Sequence, residues 1–111
     1  MSQIIRGTFA SGQSSGVGQT SAELLIPTGT TTARLTIPND STSPVNSTID
    51  ASNTVKTQKS TDYGVTWVDQ TTYNSAQSNV AVTVAAGEQW RFFLISQQAN
   101  KSMSYELSAQ S

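Results

Sequence analysis

Apolar residues recur at every second position along much of the chain, and this spacing constrains the fold more than any other feature. Val80, Val82 and Val84 alternate with Ala81 and Thr83. A period of two is the period of a β-strand, whose successive side chains point to opposite faces of a sheet. No segment shows the 3.6-residue apolar stripe of an amphipathic helix over a useful length. The sequence therefore predicts an all-β chain.

A second run is apolar at consecutive positions as well as at alternating ones. Trp90, Phe92 and Leu94 would line one face of the strand, and Phe93 and Ile95 would line the other. Strands that are apolar on both faces are usually covered on both sides. We therefore expect this run to form a central strand, with Trp90 in the core rather than on the surface.

Alternating runs and turn signals recur at intervals of roughly ten residues along the whole chain, which is typical of a sandwich or barrel. We predict an antiparallel β-sandwich of about eight strands, jelly-roll-like, without substantial helix. The runs 80–84, 90–95 and 103–107 predict a C-terminal meander of three adjacent strands. The length of 111 residues suits a single domain, 1–111. Residues 11–20 are expected to form a flexible Gly/Ser loop inside it.

The composition excludes several kinds of chemistry. The chain has no cysteine and no histidine, so disulfides, thiolate nucleophiles and Ser-His-Asp triads are excluded. A net charge of −1, with six scattered basic residues, argues against a nucleic-acid surface. Lys56 and Lys59 are expected to guard an edge strand against aggregation. Neither a signal peptide at 1–6 nor a membrane span is indicated, so synthesis in the cytoplasm is expected.

The most specific short motif is Ser-Thr-Asp-Tyr-Gly-Val-Thr-Trp at 60–67. Ser60, Asp62, Gly64 and Trp67 are the candidate turn residues. The Asp62 carboxylate can accept hydrogen bonds from backbone N–H groups of its own turn, and Gly64 can adopt a positive φ. Thr66 and Trp67 would re-enter a strand, with the indole covering the hairpin.

This octapeptide resembles an Asp-box, Ser-x-Asp-x-Gly-x-Thr-Trp, the hairpin motif found repeatedly in sialidases and other β-propellers. It also occurs singly in assorted β-sandwich and bacteriophage structural proteins. One copy in 111 residues excludes a propeller. Tyr63 stands where the common version has a second glycine, which leaves the turn type open. At an exposed tip, Tyr63 would be a candidate contact for a protein interface or a ligand.

We expect no catalytic, cofactor-binding or metal-binding residues. A sialidase would need clustered arginines beside a tyrosine nucleophile, whereas Arg6, Arg34 and Arg91 are widely separated in the sequence. A carboxylate-pair hydrolase remains an alternative only if the fold brings two acids to within roughly 5–10 Å across a cleft. Asp40 and Asp50 could meet and bind Ca²⁺, although two turn-forming aspartates are the simpler interpretation.

Ser, Thr, Asn and Gln make up about 44% of the chain, and their hydrogen-bonding surfaces suit repeated weak contacts in a large assembly. In length, composition and layout the chain resembles small bacteriophage virion proteins, namely capsid cement (decoration) proteins and β-rich tail or fibre modules. The resemblance implies a structural role in the virion and stabilisation of the shell against internal pressure. It further implies contact with the major capsid protein or another virion protein, and a homo-oligomer, for which a trimer is one option. The alternative functions are a carbohydrate-binding β-sandwich module that uses Tyr63 and the loop tips, or a tail or fibre component.

Overall fold

The computed structural model describes residues 2–9, 19–39, 47–97 and 101–110. The predicted Gly/Ser loop lies outside the described residues over 11–18, and so does Asp40. The described chain contains eight strands and no helix, as predicted for an all-β sandwich. The strands are β1 (Ser2–Phe9), β2 (Leu24–Leu25), β3 (Thr32–Ile37), β4 (Thr54–Ser60), β5 (Val68–Tyr73), β6 (Gln77–Thr83), β7 (Gln89–Ser96) and β8 (Met103–Gln110).

The strands form two four-stranded antiparallel sheets, in the orders β1-β8-β3-β6 and β2-β7-β4-β5. Four of the pairings are β1 with β8, β2 with β7, β3 with β6 and β4 with β5. These are the pairings of one long hairpin whose two arms are rolled across two sheets. The pairs β3–β8 and β4–β7 then join the ladders within each sheet. This strand order is that of a jelly roll and confirms the predicted fold class.

The core lies between the two sheets, because alternate residues of each strand point inward. In β3 the side chains of Ala33, Leu35 and Ile37 are fully buried, whereas Thr32 and Arg34 are exposed. Tyr105 of β8 packs against Phe9 and Phe92, with ring centroids 5.0 and 4.9 Å apart. The remaining buried apolar side chains are Ile5, Leu24, Ile26, Ile49, Val55, Val84, Trp90, Leu94, Met103, Leu107 and Ala109.

Strand β7 is central in its sheet, between β2 and β4, as the sequence predicted. Trp90, Phe92 and Leu94 face the core and are 2%, 0% and 0% exposed, so the placement of Trp90 in the core is confirmed. Phe93 and Ile95 lie on the outer face of the sheet and are half-buried. The expectation of full burial on both faces is therefore wrong for that outer face.

Two further expectations are wrong. The C-terminal strands do not form a meander, because β6 and β8 belong to the first sheet and β7 to the second. Lys56 and Lys59 do not guard an edge, because β4 lies between β7 and β5. Each lysine instead forms an ion pair, Lys56 with Asp69 at 2.8 Å and Lys59 with Glu88 at 3.1 Å.

Within the residues that the structure describes, no helix is long and apolar enough to cross a membrane.

Candidate functional site at the 60–67 hairpin

The loop between β4 and β5 turns through Asp62, Tyr63, Gly64 and Val65. The φ angles of Tyr63 and Gly64 are +59° and +85°. The Val65 N–H donates to the Asp62 carbonyl oxygen at 3.4 Å. Two consecutive central residues with positive φ are the requirement of a type I′ turn, whose twist matches that of the flanking strands. The turn type left open by the sequence is therefore settled by the backbone of Tyr63.

Ser60 and Asp62 fasten this turn with side-chain oxygens. The Ser60 hydroxyl accepts from the Gly64 N–H at 2.8 Å and donates to Asp62 Oδ1 at 2.7 Å. Asp62 Oδ1 also accepts from the Thr66 N–H at 2.9 Å, and Oδ2 accepts from the Thr66 hydroxyl. The loop thus satisfies its own polar groups locally, as expected for an aspartate in a tight turn.

The same hydrogen bonds make the loop sensitive to acid. Donation from Thr66, through its hydroxyl and its N–H, and from the Ser60 hydroxyl lowers the pKa of Asp62 from 3.8 to about 2. Because the folded-state pKa is depressed, this contribution to stability is present above about pH 4 and is lost as pH falls through about 2. We expect the protection factor of the Thr66 amide, the ratio of its intrinsic to its observed exchange rate measured by NMR, to fall over that range.

The matched control is Asp62→Asn, which keeps the shape of the side chain and removes its titration. In this variant the protection factor of the Thr66 amide should be lower than in the wild type at neutral pH, with no further fall between pH 4 and 2 that can be assigned to residue 62. A wild-type carboxyl that titrates near 3.8 would contradict the hydrogen-bonded geometry.

Trp67 holds the loop against the outer face of the second sheet. Its indole N–H donates to the Gly64 carbonyl oxygen at 3.1 Å. The Arg91 guanidinium lies 4.0 Å from the centroid of the indole ring, a cation–π contact. Arg91 Nε in turn donates to Gln58 Oε1 at 2.9 Å, and Gln58 Nε2 donates to Asp69 Oδ1 at 2.9 Å. Side chains from β4, β5 and β7 therefore anchor the hairpin to three strands.

Gly64 is required by both its backbone and its surroundings. At φ +85° an added Cβ is strained, and it would lie 3.3 Å from Gln89 Oε1. We expect Gly64→Ala to lower the free energy of unfolding by about 1–2 kcal/mol, measured by urea denaturation. Gly29 is the matched control, since it has φ +89° but nothing within 4 Å of an added Cβ. Gly29→Ala should cost less than Gly64→Ala; no loss for Gly64→Ala would contradict the assigned turn.

Tyr63 stands at the tip of the hairpin and is 81% exposed, and Val65 beside it is 79% exposed. Tyr63 also lines a shallow cavity of about 340 Å³ with Ala85 and Ala86 of the β6–β7 turn. We call Tyr63, Val65, Ala85 and Ala86 the tip patch. It places an aromatic ring and three small or branched apolar side chains at one end of the sandwich.

The Glu88 carboxylate beneath the tip patch is already hydrogen-bonded. Glu88 Oε1 accepts from the Ala85 N–H at 2.8 Å and from the Trp90 indole N–H at 3.1 Å, and Lys59 pairs with Oε2. Burial raises the pKa of Glu88, but these donors outweigh burial and hold the pKa below its ordinary 4.5. Glu88 therefore ties the β6–β7 turn to the core tryptophan.

The other predicted candidates do not converge on one place. Arg6 and Arg34 lie on the first sheet and Arg91 on the second. Asp50 is exposed and accepts from the Ser52 N–H and from the Asn53 side chain, which is a local turn. Among the residues that the structure describes, no group of three or more acidic side chains could hold a metal ion.

The sequence did not indicate three features of this site. The stacking of Arg91 on Trp67 joins residues 24 positions apart, and no local pattern marks it. The burial of Glu88 was missed because a glutamate after Ala-Gly in a turn is normally solvated. The positive φ of Tyr63 could have been suspected from the residue before Gly64, since type I′ turns need two such residues.

Comparisons with protein-family models, with curated proteins and with solved structures gave no significant match. The strand order alone assigns the chain to the antiparallel β-sandwiches of jelly-roll type.

Proposed function

We propose that this chain is a structural virion protein, a capsid cement protein, that attaches to the shell through its tip patch. The observation that carries the proposal is the placement of Tyr63. The ring is 81% exposed on a loop that six side-chain hydrogen bonds hold in one shape. Exposed tyrosines on rigid loops are favoured contacts in protein interfaces.

The backbone of Tyr63 strengthens this argument. A bulky residue at φ +59° costs about 1–2 kcal/mol, and asparagine or glycine would hold the same turn with less strain. The ring contributes no core burial in return, because it points to solvent. A residue that is unfavourable for the isolated fold is explained if its ring is buried against another molecule.

The chemistry of the tip patch favours a protein partner over a sugar. Sugar hydroxyls need free hydrogen-bonding groups beside a stacking ring. Besides Tyr63, two polar side chains, Thr61 and Glu88, line the same cavity. Both carboxylate oxygens of Glu88 already have partners within the chain, which leaves the Thr61 hydroxyl beside the Tyr63 ring. Val65, Ala85 and Ala86 add only apolar area. Contact with an apolar site on a shell protein matches this composition, and symmetry would multiply a weak contact over many copies.

The proposal is tested with shells assembled from the major capsid protein that we expect to be encoded near this gene. Purified chain is mixed with undecorated shells, and saturable co-sedimentation with a raised disruption temperature is the expected result. Shells that neither retain the chain nor gain stability from it would overturn the proposal. If the neighbouring genes encode only tail or fibre proteins, the same assay is carried out with those assemblies.

Carbohydrate recognition is the second candidate, because the exposed Tyr63 ring adjoins a shallow cavity of about 340 Å³. A glycan array probed with the wild-type chain and with Tyr63→Asn decides this point. A glycan bound by the wild type and lost in the variant would support it. An array without a hit, or with binding that the variant retains, would remove it.

A further inference from the structure

We infer that two copies of this chain pair through strand β6, edge to edge and antiparallel, about a two-fold axis at Ala81. Strand β6 is the end strand of the first sheet and pairs with β3 alone among the described strands. The strand Gln77–Thr83 contains no charged residue, no proline and no glycine. Proteins normally protect exposed edges with such residues, because an unprotected edge is a template for another strand.

The other edges are better protected. Strand β1 carries Arg6, which pairs with Glu106 at 3.2 Å, and strand β5 carries Asp69. Strand β2 has only two residues. In β6 the protection is limited to its first half, where the ladder with β3 is irregular and Asn79 has φ +52°. The segment 80–83 beyond it remains regular.

The hydrogen-bond register shows which backbone groups of this segment are free. The Val84 N–H donates to the Thr31 carbonyl oxygen at 3.0 Å, and the ladder continues with Val82 opposite Ala33. Hydrogen-bonded pairs alternate with non-hydrogen-bonded pairs along an antiparallel ladder. Val80 and Val82 therefore bond to β3, and Ala81 directs its N–H and C=O away from β3.

A two-fold axis at Ala81 uses these groups. Ala81 of each copy would exchange two backbone hydrogen bonds with Ala81 of the other. Val80 would lie opposite Val82 of the second copy on the core-facing side, where both valines are only half-buried in the single chain. Identical antiparallel strands are self-complementary, so this contact closes as a dimer without a second kind of surface.

Charge permits this contact between two like copies. The strand itself is uncharged, and the nearest cross-strand charge is Arg34, which lies opposite Ala81 on β3. The Arg34 guanidinium reaches over β6 and donates to the Asn79 carbonyl oxygen at 3.4 Å. In the dimer, Asn79 of each copy would lie two residues from the axis in opposite directions, so the two guanidinium groups would be roughly 14 Å apart. That distance exceeds the screening length of about 8 Å at physiological salt.

The test compares two substitutions that add the same charge on two edge strands. Ala81→Glu faces Arg34 within its own chain, so folding is not penalised, but it places two carboxylates together at the two-fold axis. Thr72→Glu is the matched control, because Thr72 is exposed on β5 and faces Lys56. Sedimentation equilibrium and amide hydrogen exchange are measured on the full chain over a concentration series.

We expect the wild type and Thr72→Glu to approach twice 11.8 kDa as concentration rises, with slowed exchange at the Ala81 amide. Ala81→Glu should raise the dissociation constant about fivefold. The inference is overturned by a mass that stays at 11.8 kDa, by a trimer, by an Ala81 amide whose exchange ignores concentration, or by equal effects of the two variants.

Discussion

Replacement of Trp90 by alanine is expected to lower the free energy of unfolding by about 3–5 kcal/mol, the range for large aromatic truncations in cores. Trp90 is 2% exposed in β7, and its indole N–H donates to Glu88 Oε1 at 3.1 Å. The variant therefore leaves a cavity between the sheets and also removes one of the donors to a buried carboxylate. Urea denaturation followed by circular dichroism measures the loss, with the slope showing whether two-state unfolding is retained.

The second tryptophan of the chain provides the control. Trp67 lies on the outer face of the sheet and is half-buried, in contact with Arg91 rather than with the core. Trp67→Ala should therefore destabilise the chain less than Trp90→Ala, and chiefly at the hairpin. Equal losses, or a negligible loss for Trp90→Ala, would show that the core is misplaced.

Tyr63→Asn is expected to weaken binding to shells by roughly 30-fold, the effect of losing one strong interface residue. Asparagine tolerates the positive φ of this position better than tyrosine does, so the fold should keep or slightly gain stability. Co-sedimentation titrations give the affinity, and thermal unfolding gives the stability of the same samples. Opposite signs for the two effects would mark Tyr63 as a residue kept for contact rather than for folding.

Ile4→Ser is the matched control for that prediction. Ile4 is 50% exposed on β1, in the first sheet, so the variant removes exposed apolar area away from the tip patch. It should bind shells as the wild type does. A loss of binding in Ile4→Ser comparable to that in Tyr63→Asn would mean that binding follows total apolar surface and not the tip patch.

The sequence predicted the strands well because strand formation depends on a local period. The alternation of Val80 with Val82, and of Trp90 with Phe92, is visible without knowing any partner strand. The pairing of these strands is not local. A five-residue connection from Thr83 to Gln89 can close a hairpin or cross to the other sheet, and the alternation is the same in both cases. For this reason the sequence predicted a meander of β6, β7 and β8, whereas the chain crosses from the first sheet to the second and back.

The hairpin at 60–67 also combines local contacts, which the sequence predicts, with long-range contacts, which it does not. The contacts of Asp62 with Ser60 and Thr66 fall within four residues of one another, so residue type and spacing were enough to anticipate them. The contacts of Trp67 with Arg91 and of Glu88 with Lys59 depend on which strands are neighbours. No short-range sequence pattern shows which strands are neighbours. The exposure of the tip patch depends on that arrangement of the strands.

Cryo-electron microscopy of a decorated shell would show which end of the chain contacts the shell. The β4–β5 and β6–β7 turns should face the shell, with Tyr63 buried in the contact. A map in which this end points to solvent, while another surface touches the shell, would contradict it.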